Sequence, residues 1–220
     1  MVEVTQALAF MEQQYAQFVA LAHDGRTPYR WQFRLMRYVA QEGRWPDRIS
    51  VPTASGKTSV IDIHVFLNAM VGLAEDESRK EHEILSCLPL RLIPRRLALT
   101  VNRRSLVDDQ FDEADELCGK IHTSESMIHY KEGLKLRAGV HDGLPHTDKP
   151  SVMNVVELRG GLAYQRAGGI IRRPVLSSAL HLTCLVVVCY FVVMVPAVPC
   201  ALWKPDCLPT ILCWWPMKRI

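Results

Sequence analysis

The 220-residue sequence predicts an α/β domain in which a parallel sheet carries helices on both faces. Short apolar runs rich in β-branched residues indicate buried strands, and between them apolar side chains recur at helical spacing. The runs cover residues 49–51, 97–101 and 152–158, and the helical stretches cover 1–22, 30–41, 60–70, 105–118 and 124–136. Such alternation is typical of parallel sheets, because a parallel connection needs a crossover segment, usually a helix.

The most informative stretch, VPTASGKT at residues 51–58, lies between an apolar run and a helical stretch. A loop between strand and helix directs backbone N–H groups and the positive end of the helix dipole at one point, which suits phosphate. Gly56 allows close approach of the backbone, Lys57 can reach the β- and γ-phosphates, and the Thr58 hydroxyl can hold Mg²⁺. ATP with Mg²⁺ is the predicted ligand, although the strict pattern has glycine where this chain has Val51.

Composition limits the other classes of function. The net charge is +3, so any nucleic-acid site must be local rather than a consequence of bulk charge. Seven cysteines are present without a CxxC pair, which supports neither a zinc site nor a redox motif. The N-terminus lacks a basic-then-apolar signal, and we expect a cytoplasmic protein. His23-Asp24 spells the dipeptide of a metal-dependent nuclease family, but the further ligands are not placed, so we interpret it as a chance pair.

One glutamine and three arginines near the predicted strands are candidate ligand-binding residues. Gln32 lies 25 residues before Lys57, Arg103 and Arg104 follow the run 97–101, and Arg159-Gly160 follows the run 152–158. Arginine suits phosphate because its guanidinium is a planar fork of donors. The alternative for each is a solvated surface side chain. In the helical stretch after Arg104, five acidic residues are expected on the outer face: Asp108, Asp109, Asp112, Glu113 and Glu116.

The segments PTASGKT, TVNRRSLVDDQ and ELRGG, in this order, resemble the superfamily 2 helicase part of the CRISPR-associated helicase–nuclease of type I systems. The variant with its helicase before its nuclease is the most similar, over roughly residues 25–165. The resemblance implies a RecA-like P-loop NTPase domain that is incomplete at its C-terminal side. It also implies single-stranded DNA and a CRISPR RNA-guided surveillance complex as partners.

The resemblance further implies roles for individual residues. Gln32 would contact adenine, and Lys57 and Thr58 would be catalytic. The cofactor loop would comprise Thr53, Ala54, Ser55, Gly56, Lys57 and Thr58. Arg103, Arg104, Arg159 and Gly160 would track single-stranded DNA. The family's acidic motif II, second RecA-like domain and nuclease are missing here, so we expect ATP and DNA binding without turnover.

Residues 170–220 differ sharply from the rest, with Asp206 as their one acidic residue. Taken literally, residues 179–202 are apolar over a bilayer-spanning length, which makes a membrane-anchored P-loop protein one alternative. The other alternative is a shifted reading frame. When the third base of each codon is joined to the first two of the next, the codons possible for residues 213–220 can encode LVADEAH, which is a strand leading into the missing motif II.

We favour the shifted frame and expect no cooperative structure from this tail. The predicted organisation is an N-terminal helix at 1–24, a partial helicase domain at 25–165 and an out-of-frame apolar tail at 170–220. A helicase of a restriction or repair system is a further alternative, because such helicases share the loop and the glutamine.

Overall fold

A computed structural model of the chain describes most of the N-terminal two-thirds and several strands beyond it. The described residues are 2–52, 55–76, 80–101, 104–138, 152–159, 162–163, 184–190 and 210–213. For a few of these, including all of the last three segments, only the backbone is described.

Five α-helices account for most of the described chain: α1 Val2–Ala22, α2 Arg30–Glu42, α3 Val60–Ala74, α4 Arg104–Thr123 and α5 Ile128–Ala138. Short 3₁₀ helices cover Lys57–Ser59, Lys80–Cys87, Leu90–Leu92 and Glu125–Met127. The predicted helices are therefore confirmed within a few residues. α2 ends where Gly43 adopts a left-handed conformation (φ 67°) and donates its N–H to the Val39 carbonyl, the usual glycine stop signal.

The strands are β1 Arg96–Val101, β2 Met153–Arg159, β3 Leu162–Ala163, β4 Cys184–Tyr190 and β5 Thr210–Cys213. β1 and β2 confirm two of the predicted strands. Neither pairs with the other: β4 lies between them, parallel to both, in the order β3-β2-β4-β1-β5. β5 is parallel to β1, and β3 is antiparallel to β2.

The predicted RecA-like fold class is wrong for this chain. Helices make up 72% of the residues whose side chains are described, and these residues contain two strands that are not paired with each other. Residues 49–51, predicted as the strand before the phosphate loop, have no regular structure. Only Ile49 and Val51 are apolar here, with Ser50 between them and Pro52 after them, and so short a segment does not form a stable strand when no described strand pairs with it.

The C-terminal segment also contains regular structure. Residues 184–190 and 210–213 form strands within the tail. That the tail adds no cooperative structure stays a prediction. Both segments contain β-branched residues, three valines in 184–190 and Thr210 with Ile211 in 210–213, and β-branched side chains suit a pleated sheet. Among the described residues, no helix combines the length and the apolar character needed to cross a membrane. The shifted frame itself stays a prediction.

Helix α3 is the centre of the core. Residues 60–73 are all buried, which is typical of a helix surrounded by packed elements rather than one lying on a surface. α5 crosses it at Gly72 and Gly133, where a Cβ on Gly72 would lie 1.8 Å from the Gly133 carbonyl oxygen. An aromatic cluster of Tyr15, Phe18, Phe66 and Tyr130 joins α1, α3 and α5. This packing holds the N-terminus of α3, and the loop before it, in place.

Candidate functional site

The candidate site is the loop that leads into α3. Gly56 is left-handed (φ 67°, ψ 46°), and Lys57–Ser59 form one 3₁₀ turn before the first residue of α3. Only glycine adopts this backbone freely, so the local chain direction depends on Gly56. Lys57 and Thr58 are half-buried, and the exposed Gly56 leaves the loop open to solvent. The loop thus retains the turn into a helix that a phosphate site requires, without the strand before it.

One side of the loop, which we call the neutral side, is formed by Tyr29, Trp31 and Gln32 at the start of α2. The Trp31 Nε1–H donates to the Ser55 carbonyl at 2.8 Å, across 24 residues of sequence. The buried Gln32 amide accepts from the Tyr29 backbone N–H at 2.7 Å and donates through Nε2 to the Ser59 hydroxyl. A Cβ on Gly56 would lie 3.2 Å from the Tyr29 ring, so this side fits a glycine closely.

The Ser59 hydroxyl completes the connection by donating to the Gly56 carbonyl. The Ser55 hydroxyl closes a second short turn by donating to the Pro52 carbonyl at 2.6 Å. Both serines therefore fix the loop backbone rather than point away from it. The start of α2 and the loop form a continuous hydrogen-bonded unit, in which each polar group is an uncharged amide, indole or hydroxyl.

The opposite side, which we call the ionisable side, is formed by His23, Asp62 and Glu113. The Thr58 hydroxyl donates to the Glu113 carboxylate of α4. Behind it, the His23 ring and the Asp62 carboxylate of α3 meet at 2.9 Å, with the Asp62 side chain only 4% exposed. Three ionisable groups therefore lie close to the N-terminus of the core helix.

These contacts shift the titration of the ionisable side. The hydrogen bond to Asp62 raises the pKa of His23, against the opposing effect of its burial. Burial raises the pKa of Asp62, and the His23 contact opposes that rise. Burial likewise raises the pKa of Glu113, and the hydrogen bond from Thr58 opposes it. At this site, pH changes thus act through His23, Asp62 and Glu113 and leave the neutral side uncharged.

The structure brings together only part of the predicted site. Gln32, Ser55, Gly56, Lys57 and Thr58 lie in one region. Arg104 is the first residue of α4 and Arg159 the last of β2, and the side chains of both lie outside the description. The remaining predicted residues lie outside the described residues altogether: Thr53, Ala54, Arg103 and Gly160. Gln32, expected at an adenine edge, here binds Tyr29 and Ser59.

The ionisable side was not predicted from the sequence. Glu113 was expected on the solvent face of α4, but it is half-buried and bonded to Thr58. His23 was treated as part of a chance dipeptide, yet it holds the buried Asp62. An acidic residue, Asp62, in the mostly apolar stretch 60–67 was the available signal, because a buried carboxylate needs a partner.

The donor types at Thr58 fit Mg²⁺. A hydroxyl has one hydrogen and two lone pairs, so Thr58 can donate to Glu113 while its oxygen remains able to face a cation. Hydroxyl and carboxylate oxygens are the hard ligands that Mg²⁺ prefers, usually completed by water and phosphate. In the part of the chain that the structure describes, no cluster of three or more His, Cys, Asp or Glu side chains is arranged to hold a metal.

Comparison with known proteins gives no relative. No family model matches the chain, and neither a curated protein nor a solved structure matches it.

Proposed function

We propose that this chain binds the phosphates of a nucleoside triphosphate, as ATP with Mg²⁺, at the loop from Ser55 to Thr58. On the resemblance of its sequence segments, we further propose that it corresponds to the N-terminal part of an ATP-dependent DNA helicase of a CRISPR interference system. Single-stranded DNA would bind through Arg103, Arg104, Arg159 and Gly160. The membrane-anchored alternative has no spanning helix among the described residues to support it.

One observation carries the nucleotide proposal. The glutamine and the loop serine, 27 residues apart in sequence, meet through the Gln32–Ser59 hydrogen bond. The resemblance implied that both segments serve one ligand, and a chance GKT match would give no reason for them to touch. The Trp31–Ser55 bond is a second, separate contact between the same two segments.

The residues have separable tasks in this proposal. Gly56 lets the backbone pass close to the phosphates, and Lys57 supplies the positive charge that faces them. Thr58 and Glu113 would hold Mg²⁺, whose charge neutralises the β- and γ-phosphate oxygens. Because Glu113 carries negative charge next to the loop, the cation is needed before a polyanion binds well there. The hydrogen bonds of the neutral side hold the loop in the conformation that would bind the phosphates.

The test is binding of a fluorescent ATP analogue with Mg²⁺ by wild type and by Lys57→Ala. Loss of one charge–phosphate contact should weaken binding by about tenfold or more, since charge-assisted hydrogen bonds contribute about 1.5–3 kcal/mol. Lys135→Ala, which removes the same charge from a half-buried position on α5, is the matched control and should bind as wild type does. Equal binding by wild type and Lys57→Ala would refute the assignment.

Hydrolysis is a separate question, and we expect none that DNA stimulates. The chain lacks the family's acidic motif, which holds Mg²⁺ and orients the attacking water. Phosphate release at about one per second, a rate typical of enzymes, would contradict this expectation. If such a rate were lost in both Lys57→Ala and Glu113→Gln, Glu113 would be the carboxylate that replaces the missing motif.

A further inference from the structure

A groove of about 800 Å³ lies between α1 and α2, away from the phosphate loop. Its volume falls within the range of about 300–1,000 Å³ that is typical of ligand sites. Arg30, Arg34 and Arg37 line it from α2, and Glu12 lines it from α1. The four charges leave the groove with a local excess of positive charge.

The three arginines form a row. Spacings of four and three residues place them on one face of a helix, and with a rise of 1.5 Å per residue the row is about 10 Å long. Arg37 is partly neutralised by Glu12 at 3.1 Å. Within the described chain, Arg30 and Arg34 are exposed and make no ion pair. Their guanidinium groups are therefore available to an external anion.

The arginine row and Gln32 lie on different faces of α2. Gln32, which binds the loop, lies two residues from both Arg30 and Arg34, and at 100° per residue it therefore points nearly opposite to them. None of the residues from Ser55 to Ser59 lines the groove. The groove is also lined by Tyr38, a half-buried aromatic side chain that packs partly against the hydrophobic core and lies next to the arginine row.

We propose that the α1–α2 groove binds the backbone of a single-stranded nucleic acid. A row of arginines spread along a helix matches successive phosphates better than one compact anion. An aromatic side chain beside a basic groove is the arrangement on which unpaired bases stack. This surface is independent of the loop and of the predicted strand-binding residues Arg103, Arg104, Arg159 and Gly160, and it does not require nucleotide.

The experiment measures binding of a labelled oligothymidylate of about 12 nucleotides, within the usual site sizes, to the full chain by fluorescence anisotropy at several salt concentrations. Each phosphate contact contributes about −0.7 to the slope of log affinity against log salt for single strands. Arg30→Gln/Arg34→Gln should therefore make that slope less negative by about 1.4. Arg44→Gln/Arg48→Gln removes the same charge from exposed positions after α2 and should leave the slope nearly unchanged.

Two further variants test the details. Glu12→Gln should strengthen binding, because it removes the carboxylate that competes for Arg37. Tyr38→Leu should weaken it by about fivefold or more if a base stacks there. Lys57→Ala should bind the oligonucleotide as wild type does, which separates this proposal from nucleotide binding at the loop.

The proposal is overturned if the two double-arginine variants have equal slopes. It is also overturned if a blunt duplex or a polyglutamate peptide of matched charge displaces the oligonucleotide as well as unlabelled single strand does. Far-UV circular dichroism of the arginine variants should match wild type, since the substituted arginines are exposed.

Discussion

The two sides of the phosphate loop do similar work by different chemistry. The neutral side holds Ser55 and Ser59 through an indole and an amide that carry no charge at any physiological pH. The ionisable side holds Thr58 through Glu113 and supports α3 through the buried His23–Asp62 pair. The neutral side should therefore contribute the same stability at every pH, whereas the contribution of the ionisable side should change with pH and with bound cations.

The largest effect should come from breaking the buried pair. His23→Ala leaves the Asp62 carboxylate buried without its partner, and removal of one partner of a buried ion pair costs about 3–5 kcal/mol. We expect His23→Ala to lower the free energy of unfolding, measured with urea at pH 6, by about 3 kcal/mol, at the low end of that range. The reason is that His23 is partly exposed and water can replace some of its contact. His23→Ala/Asp62→Asn should recover part of the loss; a double variant no more stable than His23→Ala would contradict the pairing.

The same pair predicts the direction of a pH dependence. A histidine with a folded-state pKa above its unfolded value contributes stability that is fully present below about pH 6.5 and is lost as pH rises through the folded pKa. The His23 contribution to the free energy of unfolding should therefore fall from pH 6.5 towards pH 9, whereas the buried His64, whose pKa is lowered to about 4, contributes in the opposite direction near pH 6.5. Asp62→Asn removes the main cause of the raised pKa, so its profile over that range should be flatter. Identical slopes would exclude this source of pH dependence.

A smaller effect is expected on the neutral side. Gln32→Ala removes two hydrogen bonds and leaves the Tyr29 N–H and the Ser59 hydroxyl without that partner, a cost of about 2 kcal/mol. The loss should be the same at pH 6 and pH 8, because no charge is involved. A loss that changes with pH would show that the two sides are coupled.

The smallest effect concerns the indole contact. Trp31→Phe keeps an aromatic side chain but removes the Nε1–H donor to the Ser55 carbonyl, and loss of that hydrogen bond should cost about 1 kcal/mol of the free energy of unfolding. Trp45→Phe is the matched control, because the Trp45 indole nitrogen is buried and has no hydrogen-bond partner among the described residues. Trp45→Phe should leave the affinity for nucleotide unchanged. If Trp31→Phe and Trp45→Phe lower nucleotide affinity equally, the Trp31 indole is not part of the nucleotide site.

Local patterns in the sequence predicted the helices well. α1 and α2 follow from apolar spacing, and Gly43 marks the end of α2. The sheet could not be predicted because its central strand, β4, comes from residues 184–190, in the tail that we expected to be out of frame and to add no cooperative structure. Strand pairing depends on distant partners, and an isolated apolar run does not specify them.

The candidate site shows the same division. The loop and Gln32 are visible in the sequence because each belongs to a short motif. Glu113 is not, because its role arises from how α4 packs near the start of α3, and its helical neighbours give it the pattern of a surface residue. Contacts between elements far apart in the sequence carry no local signal.

The most direct test of the phosphate loop compares ligands rather than variants. Titration calorimetry with Mg²⁺ should give affinities in the order ATP, ADP, AMP, and inorganic triphosphate should compete with ATP for the loop. That order follows if Lys57, Thr58 and the Gly56 backbone recognise the β- and γ-phosphates. Equal affinity for AMP and ATP, together with no competition by triphosphate, would contradict the account.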